Sequence, residues 1–232
     1  MLVASSLKIY RKQQALVVIL ILVVVKVYPV LQQTITSLLY RTTLSEERKE
    51  VLTPLVDCLS DQLNKDGSVI IVFICTHNSR RSHLAQVWAQ VAAHYYGCVT
   101  IHCYSGGTEE TALAPQVATV LQEQGINVSL LALNDNPIYS LKYDSRSAPL
   151  IGFSKKYNHV FNPESGFIAV MTCSQADGDC PFISGVSHRV AIAYADPKTF
   201  DGLPEEECAY REASLSIAQE MFYVFSQVKN KR

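Results

Sequence analysis

Val69-Ile70-Ile71-Val72-Phe73-Ile74 is an unbroken run of β-branched and aromatic side chains that passes straight into a polar loop, Cys75 to Arg81. A strand with one face in water alternates apolar with polar residues. A strand that is apolar at every position is buried on both faces, as in a parallel sheet covered by helices. The remaining pattern agrees. Leu84, Val87, Trp88, Val91 and Tyr95 recur at helical spacing and stop at Gly97. Val99 to Tyr104 reads as a second strand, Ala112 to Gln124 as a helix ended by Gly125, Phe167 to Thr172 as a third strand and Arg189 to Tyr194 as a fourth. Ala213, Ile217, Met221, Val224, Phe225 and Val228 mark one face of a final helix. Alternating strands and helices predict an α/β fold, a parallel four-stranded sheet with helices on both faces. Ligands of such sheets sit outside the carboxyl ends of the strands. Cys75, Cys173 and Asp196 each fall just past a predicted strand end, so one rim would gather them.

Before this pattern lie two other regions. Residues 1–31 form a hydrophobic segment: Ala15 to Val25 is continuously apolar, flanked by Lys8, Arg11 and Lys12 and interrupted by Lys26. It is shorter than the roughly 20 residues of a membrane span. Three readings stay open: an anchor touching the membrane through residues 15–31, an extension upstream of the true start or a buried element, and a cleaved signal. Residues 32–66 read as a helical extension, with Ser45 as cap ahead of Glu46 and Glu47, Pro54 as a kink or break, and Asn64-Lys65-Asp66-Gly67 as a turn. Residues 67–232 read as the main domain, with an irregular insertion at about 133–166 that suits a lid or a substrate-facing loop. Its Tyr139, Tyr143, Phe153 and Tyr157 either wall a pocket or pack on the core.

The near-balanced charge, −1 over 232 residues, and the lack of a basic run exclude a nucleic-acid footprint. Seven cysteines are scattered through a chain whose 48 % apolar content supports a core without disulfides. They read as reduced thiols of a cytoplasmic domain, with Cys58, Cys98, Cys103 and Cys208 as ordinary buried or half-buried ones. His102 and His188 read as structural or solvated.

The loop Cys75-Thr76-His77-Asn78-Ser79-Arg80-Arg81-Ser82 runs from a strand into a helix, a setting built for anions. Backbone N–H groups converge there, and the helix dipole favours negative charge. The same field favours a thiolate at Cys75. Arg81 can present a planar fork to two oxygens of a tetrahedral oxyanion. Ser82 can donate to the sulfur and cap the helix, and Asn78 tolerates a left-handed backbone. Thr76, His77, Asn78, Ser79, Arg80, Arg81 and Ser82 are therefore the candidate oxyanion-binding residues.

Cys-x5-Arg-Ser after a strand resembles the signature loop of the low-molecular-weight protein tyrosine phosphatases and the related thioredoxin-coupled arsenate reductases. The resemblance covers roughly Val69 to Gln227 and breaks over the insertion. It implies a flavodoxin-like sheet with the phosphatase-type loop after its first strand. Two residues depart from the pattern: His77 stands where those families usually carry Gly, and Arg80 where a second Cys is frequent. Ala195-Asp196-Pro197 resembles the family segment whose Asp is the general acid. Gly106-Gly107-Thr108-Glu109 resembles the loop beside the family active site.

Cys173-Ser174-Gln175-Ala176-Asp177-Gly178-Asp179-Cys180-Pro181 resembles the arsenate reductase segment with two further redox cysteines. That resemblance implies a relay in which Cys75 attacks arsenate, Cys173 attacks Cys75, and Cys180 attacks Cys173, leaving a disulfide for thioredoxin. The relay needs a mobile segment, which Gly178 suits. A buried, structural Cys173 is the plainer alternative, and a zinc site from Cys173, Cys180 and His188 lacks a fourth ligand. No metal and no bound cofactor are expected, only an external thiol reductant such as thioredoxin. The favoured activity is arsenate reduction. The first alternative is phosphotyrosine hydrolysis through a cysteinyl-phosphate with Asp196 as acid, although Lys198-Thr199-Phe200 is poor in aromatics for gripping a phenol. The second is a non-catalytic anion-binding module.

Overall fold

The computed structural model describes residues 27–41, 44–179 and 182–231. The hydrophobic segment 1–26, Cys180 and Pro181 lie outside the described residues. Four parallel strands, β1 (Val69–Cys75), β2 (Ile101–Gly107), β6 (Phe167–Met171) and β7 (Val186–Ala191), form one sheet in the order β2-β1-β6-β7. Between β2 and β6 the chain makes a second, antiparallel sheet of β3 (Asn127–Ala132), β4 (Ile138–Lys142) and β5 (Leu150–Gly152). The helices are α1 (Pro29–Leu39), α2 (Glu46–Asp66), α3 (Arg81–Tyr95), α4 (Pro115–Glu123), α5 (Ser174–Asp179) and α6 (Glu206–Asn230). The α/β reading with a flavodoxin-like sheet is correct.

The apolar run of β1 has the expected cause. Val69, Ile71 and Phe73 enter the large core with Leu52, Trp88, Leu121 and Phe225, while Val72 and Ile74 enter a smaller one with Cys75, Ala169, Met171, Cys173 and Ala176. Both faces are covered, unequally: α1–α4 and α6 contribute to the large core, and only the short α5 and neighbouring loops close the other. The outer edge of β2 is occupied by side chains of α3. Gln90 Nε2 donates to Ile101 O at 3.1 Å and its Oε1 accepts from Cys103 N at 2.9 Å, while Gln86 Nε2 donates to Cys103 O at 3.0 Å. Two glutamines thus supply bonds that a further strand would have made, and blunt the edge.

Three expectations are corrected. Ser45 caps α2 as predicted, accepting from Arg48 N at 3.2 Å, but Pro54 neither breaks nor ends the helix. Pro54 and Glu50, whose carbonyl loses its partner, both lie on the exposed side, while Leu52, Leu55, Val56, Leu59 and Leu63 pin the buried side. The insertion is not irregular throughout, because Ile138–Lys142 and Leu150–Gly152 are strands that pair with β3 or with each other. The fourth strand is Val186–Ala191 rather than 189–194. Ladder-like bonds nevertheless continue past it, from Ile192 N to Met171 O at 2.9 Å and from Tyr194 N to Thr172 O at 3.1 Å. That extension carries the backbone to Asp196 beside the end of β6.

Candidate active site

The rim expected from the strand ends is present. Cys75 closes β1 opposite Gly107 of β2, Cys173 follows β6, and Asp196 follows the extension of β7. Between Cys75 and α3, the loop turns its carbonyls outward. Cys75 O accepts from Thr108 N (3.1 Å), Thr76 O from Glu109 N (2.8 Å), His77 O from Ser154 Oγ (2.8 Å), and Ser79 O from Ala114 N (3.1 Å). The amide N–H groups of His77 to Arg80 find no protein acceptor among the described residues. A loop with its carbonyls held outside and its amides left unpaired is an anion cradle.

Asn78 makes this turn. It is fully buried at φ 45°, a left-handed conformation that Asn tolerates better than most residues. Its Oδ1 accepts from Lys155 N at 3.0 Å and its Nδ2 donates to Ser82 Oγ at 2.8 Å. Ser82 Oγ lies 3.1 Å from Cys75 Sγ. The same hydroxyl oxygen thus joins the Asn78 amide to the sulfur, and its proton is available to a thiolate. Ser82 is not the helix cap: it lies inside the first turn, and Arg80 occupies the cap position without a side-chain cap bond. Gly107 is required beside this loop, since a Cβ there would sit 2.2 Å from Glu109 O, 2.6 Å from Thr76 O and 2.8 Å from Asn78 N.

Arg81 is largely buried. Its Nη2 donates to Asp196 Oδ2 at 2.6 Å and its Nη1 to Tyr194 O at 3.3 Å, while the buried Nε has no partner among the described residues. Clamp and acid candidates are therefore already in contact. Cys173 is buried, its Sγ 3.5 Å from Thr76 Oγ1 and accepting from Ala176 N at 3.4 Å, so it sits between the loop and the start of α5. The segment expected to be mobile is helical to Asp179, and Arg189 Nη2 fixes Asp177 Oδ1 at 2.6 Å. Cys180 falls outside the described residues.

Two loop residues depart from the expected oxyanion set. The His77 imidazole lies outside, 44 % exposed, with Nε2 3.4 Å from Glu109 Oε2, which leaves only its backbone for the cradle. Arg80 is engaged elsewhere, donating to Tyr210 OH through Nε and to Asp201 Oδ2 at 2.7 Å through Nη2. Of the insertion aromatics, Tyr143 is buried against His94 and Tyr157 packs on the small core, while Phe153 packs with Phe161. Cys208 is exposed rather than buried, and Cys58, Cys98 and Cys103 fit the expectation.

The sequence reading missed Ser154 and Lys155, which brace the loop from outside, and Asp201 and Tyr210, which hold Arg80. Lys155 is 1 % exposed, and burial pulls its ammonium down to about 7. Its Nζ lies over the rings of Phe153 and Phe161, 4.6 and 5.5 Å from the centroids. Burial first, and the Lys155 cation second, hold His83 well below the usual imidazole range.

Residues 70–144 match the family model for low molecular weight phosphotyrosine protein phosphatase. The arsenate reductase of Staphylococcus aureus (strain Newman) is 28 % identical over 153 residues, which cover 66 % of this chain and 94 % of that protein. The arsenate reductase of Bacillus subtilis (strain 168) is 27 % identical over 141 residues, 61 % of this chain and 83 % of that one. Over these stretches the chain is similar to the low-molecular-weight phosphatases and arsenate reductases. That likeness supports a cysteine-based oxyanion enzyme. Among solved structures, the arsenate reductase of Archaeoglobus fulgidus aligns with a TM-score of 0.46 at 17 % identity, covering 67 % of this chain and 98 % of that one. No helix among the described residues is long and apolar enough to cross a membrane.

Proposed function

We propose that this protein is an arsenate reductase that passes oxidation through three cysteines. Cys75 thiolate attacks arsenic, and the displaced oxygen leaves as water with a proton from Asp196. Cys173 then attacks the Cys75 sulfur. A disulfide forms, the sulfur–arsenic electron pair stays on arsenic, and arsenite departs. Attack of Cys180 on Cys173 releases Cys75 as thiolate, and a dithiol such as thioredoxin reduces the Cys173–Cys180 disulfide. This cycle suits a reducing, cytoplasmic compartment and needs no bound metal or cofactor.

The observation that carries this reading is the seat of Cys173. A merely structural thiol at the end of β6 has no need to face the loop. This one lies against the hydroxyl of Thr76, the residue after the nucleophile, and accepts from the first turn of α5. Both neighbours suit a sulfur that must act as a nucleophile. For the first step, the open amides of the loop and Arg81 Nε are donors suited to arsenate oxygens. The Ser82 hydroxyl suits a thiolate acceptor.

The phosphatase reading shares every part except Cys173 and Cys180, and the phosphatase family model supports it. The Cys173→Ser variant, assayed on both substrates, separates the two. Arsenate reduction with thioredoxin should vanish while hydrolysis of an aryl phosphate persists. Unaffected arsenate reduction would defeat the relay. A non-catalytic module predicts no Cys75-dependent turnover of either substrate.

A further inference from the structure

Asp196 and Asp201 flank a single 3-10 turn, Pro197–Phe200. Asp196 caps its start, accepting from Lys198 N at 3.1 Å, and Asp201 ends it, its N–H bonded to Lys198 O at 3.0 Å. Two consecutive arginines of the oxyanion loop grip the two ends. Arg81 holds Asp196 at 2.6 Å and Arg80 holds Asp201 at 2.7 Å. The second grip is reinforced from α6, where the buried Tyr210 donates from its hydroxyl to Asp201 Oδ1 at 2.7 Å and accepts from Arg80 Nε. Burial first raises the Tyr210 phenol to about 12, so it remains a donor throughout the neutral range.

The two grips differ in one respect. An oxyanion in the loop competes with Asp196 for the Arg81 fork, so substrate binding weakens the first grip at the step when the acid must be in place. The Arg80–Asp201–Tyr210 set does not use the Arg81 fork, so an oxyanion taken by that fork leaves it in place. We propose that Arg80 is a positioning residue for the acid, holding the far end of the Asp196 turn to the loop and to α6 when substrate takes Arg81. The Arg80 side chain, engaged by Tyr210 and Asp201, does this without touching substrate or reacting atoms, and only its backbone N–H belongs to the cradle. This inference rests on the reading of Asp196 as general acid. It also accounts for an arginine where the resembled families often carry cysteine: the turn gains an anchor that does not depend on the empty state of the site.

The test is the full chain carrying Arg80→Met, Arg80→Lys or Asp196→Asn, assayed on 4-nitrophenyl and phenyl phosphate with inorganic phosphate as competing ligand. A displaced acid harms the poorer leaving group most. Arg80→Met should lower kcat for phenyl phosphate roughly 10- to 100-fold, a large part of a general acid's typical worth. It should change kcat for 4-nitrophenyl phosphate far less and leave KM and phosphate inhibition within about twofold. Arg80→Lys should restore part of the loss. Hydrogen exchange in the phosphate-bound protein should speed up across residues 197–203 in Arg80→Met and not across the oxyanion loop. If Asp196→Asn shows the leaving-group effect and Arg80→Met does not, the positioning role is wrong while the acid stands. If neither shows it, the acid assignment fails and takes the positioning role with it. Weakened phosphate inhibition in Arg80→Met would instead make Arg80 an oxyanion ligand, and exchange unchanged across 197–203 would also overturn the proposal.

Discussion

Replacing Lys155 with Met should stabilise the protein, and by an amount that depends on pH. The ammonium is buried, and no carboxylate among the described residues pairs with it. Its contacts are the Phe153 carbonyl at 3.4 Å and two aromatic faces. Burial lowers it from 10.5 to about 7. At ~1.4 kcal/mol for each tenfold change, keeping the charged form buried costs on the order of 5 kcal/mol. The sign follows from the protons bound in each state. The unfolded lysine holds its proton up to about 10.5, and the folded one only to about 7. Between those limits the unfolded chain binds more protons, so the parent gains stability as pH rises. The full cost applies below about pH 7 and has largely gone by pH 10. Methionine has nearly the same shape and no charge. Lys155→Met should therefore exceed the parent by roughly 4 kcal/mol at pH 6–7, by roughly 2 kcal/mol at pH 9, and by little at pH 10. Urea unfolding at those pH values measures it, and the slope is the diagnostic quantity, because changes in packing add a constant. The backbone bonds of residue 155 to Asn78 and Gly107 are untouched by the change. A difference independent of pH, or a parent more stable than the variant at pH 6, would refute the reasoning.

Other substitutions probe the loop and the core. Gly107→Ala places a methyl group against three backbone atoms of the loop region. It should cost about 1–3 kcal/mol of stability, read by thermal unfolding, and weaken phosphate inhibition more than tenfold. Asn78→Ala removes the left-handed tolerance and the bonds to Lys155 and Ser82. A loss of about 2–4 kcal/mol is expected in urea unfolding, together with a lower kcat from the mispositioned Ser82 hydroxyl. Ser214→Ala removes the hydroxyl that accepts from Trp88 Nε1 at 2.9 Å and donates to Gln124 Oε1 at 2.7 Å. With both buried groups stranded, a loss of about 1–3 kcal/mol is expected, with kcat per folded molecule unchanged.

The parts legible in the sequence are those whose signal is local. Val69–Ile74 carried the pattern of a strand buried on both faces, and Asn78, Arg81 and Ser82 at their spacings marked the loop after it as an oxyanion site while leaving its reaction open. Ser45 was legible as a cap because capping is a contact three residues long. Pro54 misled because the rule for proline in helices ignores which side the missing bond faces. Ile138–Lys142 was missed as a strand because a five-residue stretch between Pro137 and the Tyr143–Pro149 loop carries too little periodicity. Lys155 was beyond reach: Ser154-Lys155-Lys156 looks like a solvated pair, and only the folded chain separates the buried lysine from its exposed neighbour. Arg80 was read as an anion donor from its place in the loop. Its partners, Asp201 and Tyr210, lie more than a hundred residues away, where no local pattern connects them.

The insertion was expected to cover the site, and its bonds argue for bracing. A lid must approach the face where the amides of His77 to Arg80 are open. Among the described residues the bonds from the insertion to the loop end instead on its carbonyl and side-chain groups, Ser154 Oγ on the His77 carbonyl and Lys155 N on the Asn78 side chain. The same stretch is stitched to β2 by Gly107 N to Lys155 O at 2.8 Å and Tyr157 N to Gly107 O at 2.9 Å, and to itself by Asn136, which donates to Ser154 O and accepts from Ser154 N. An opening motion would break these bonds together and expose the buried Lys155, Asn162 and Asn78. What the arrangement gives is a fixed loop. With its carbonyls held from behind, the cradle keeps its amides pointed at the anion without having to reorganise, and that is the condition under which backbone dipoles are most effective in catalysis.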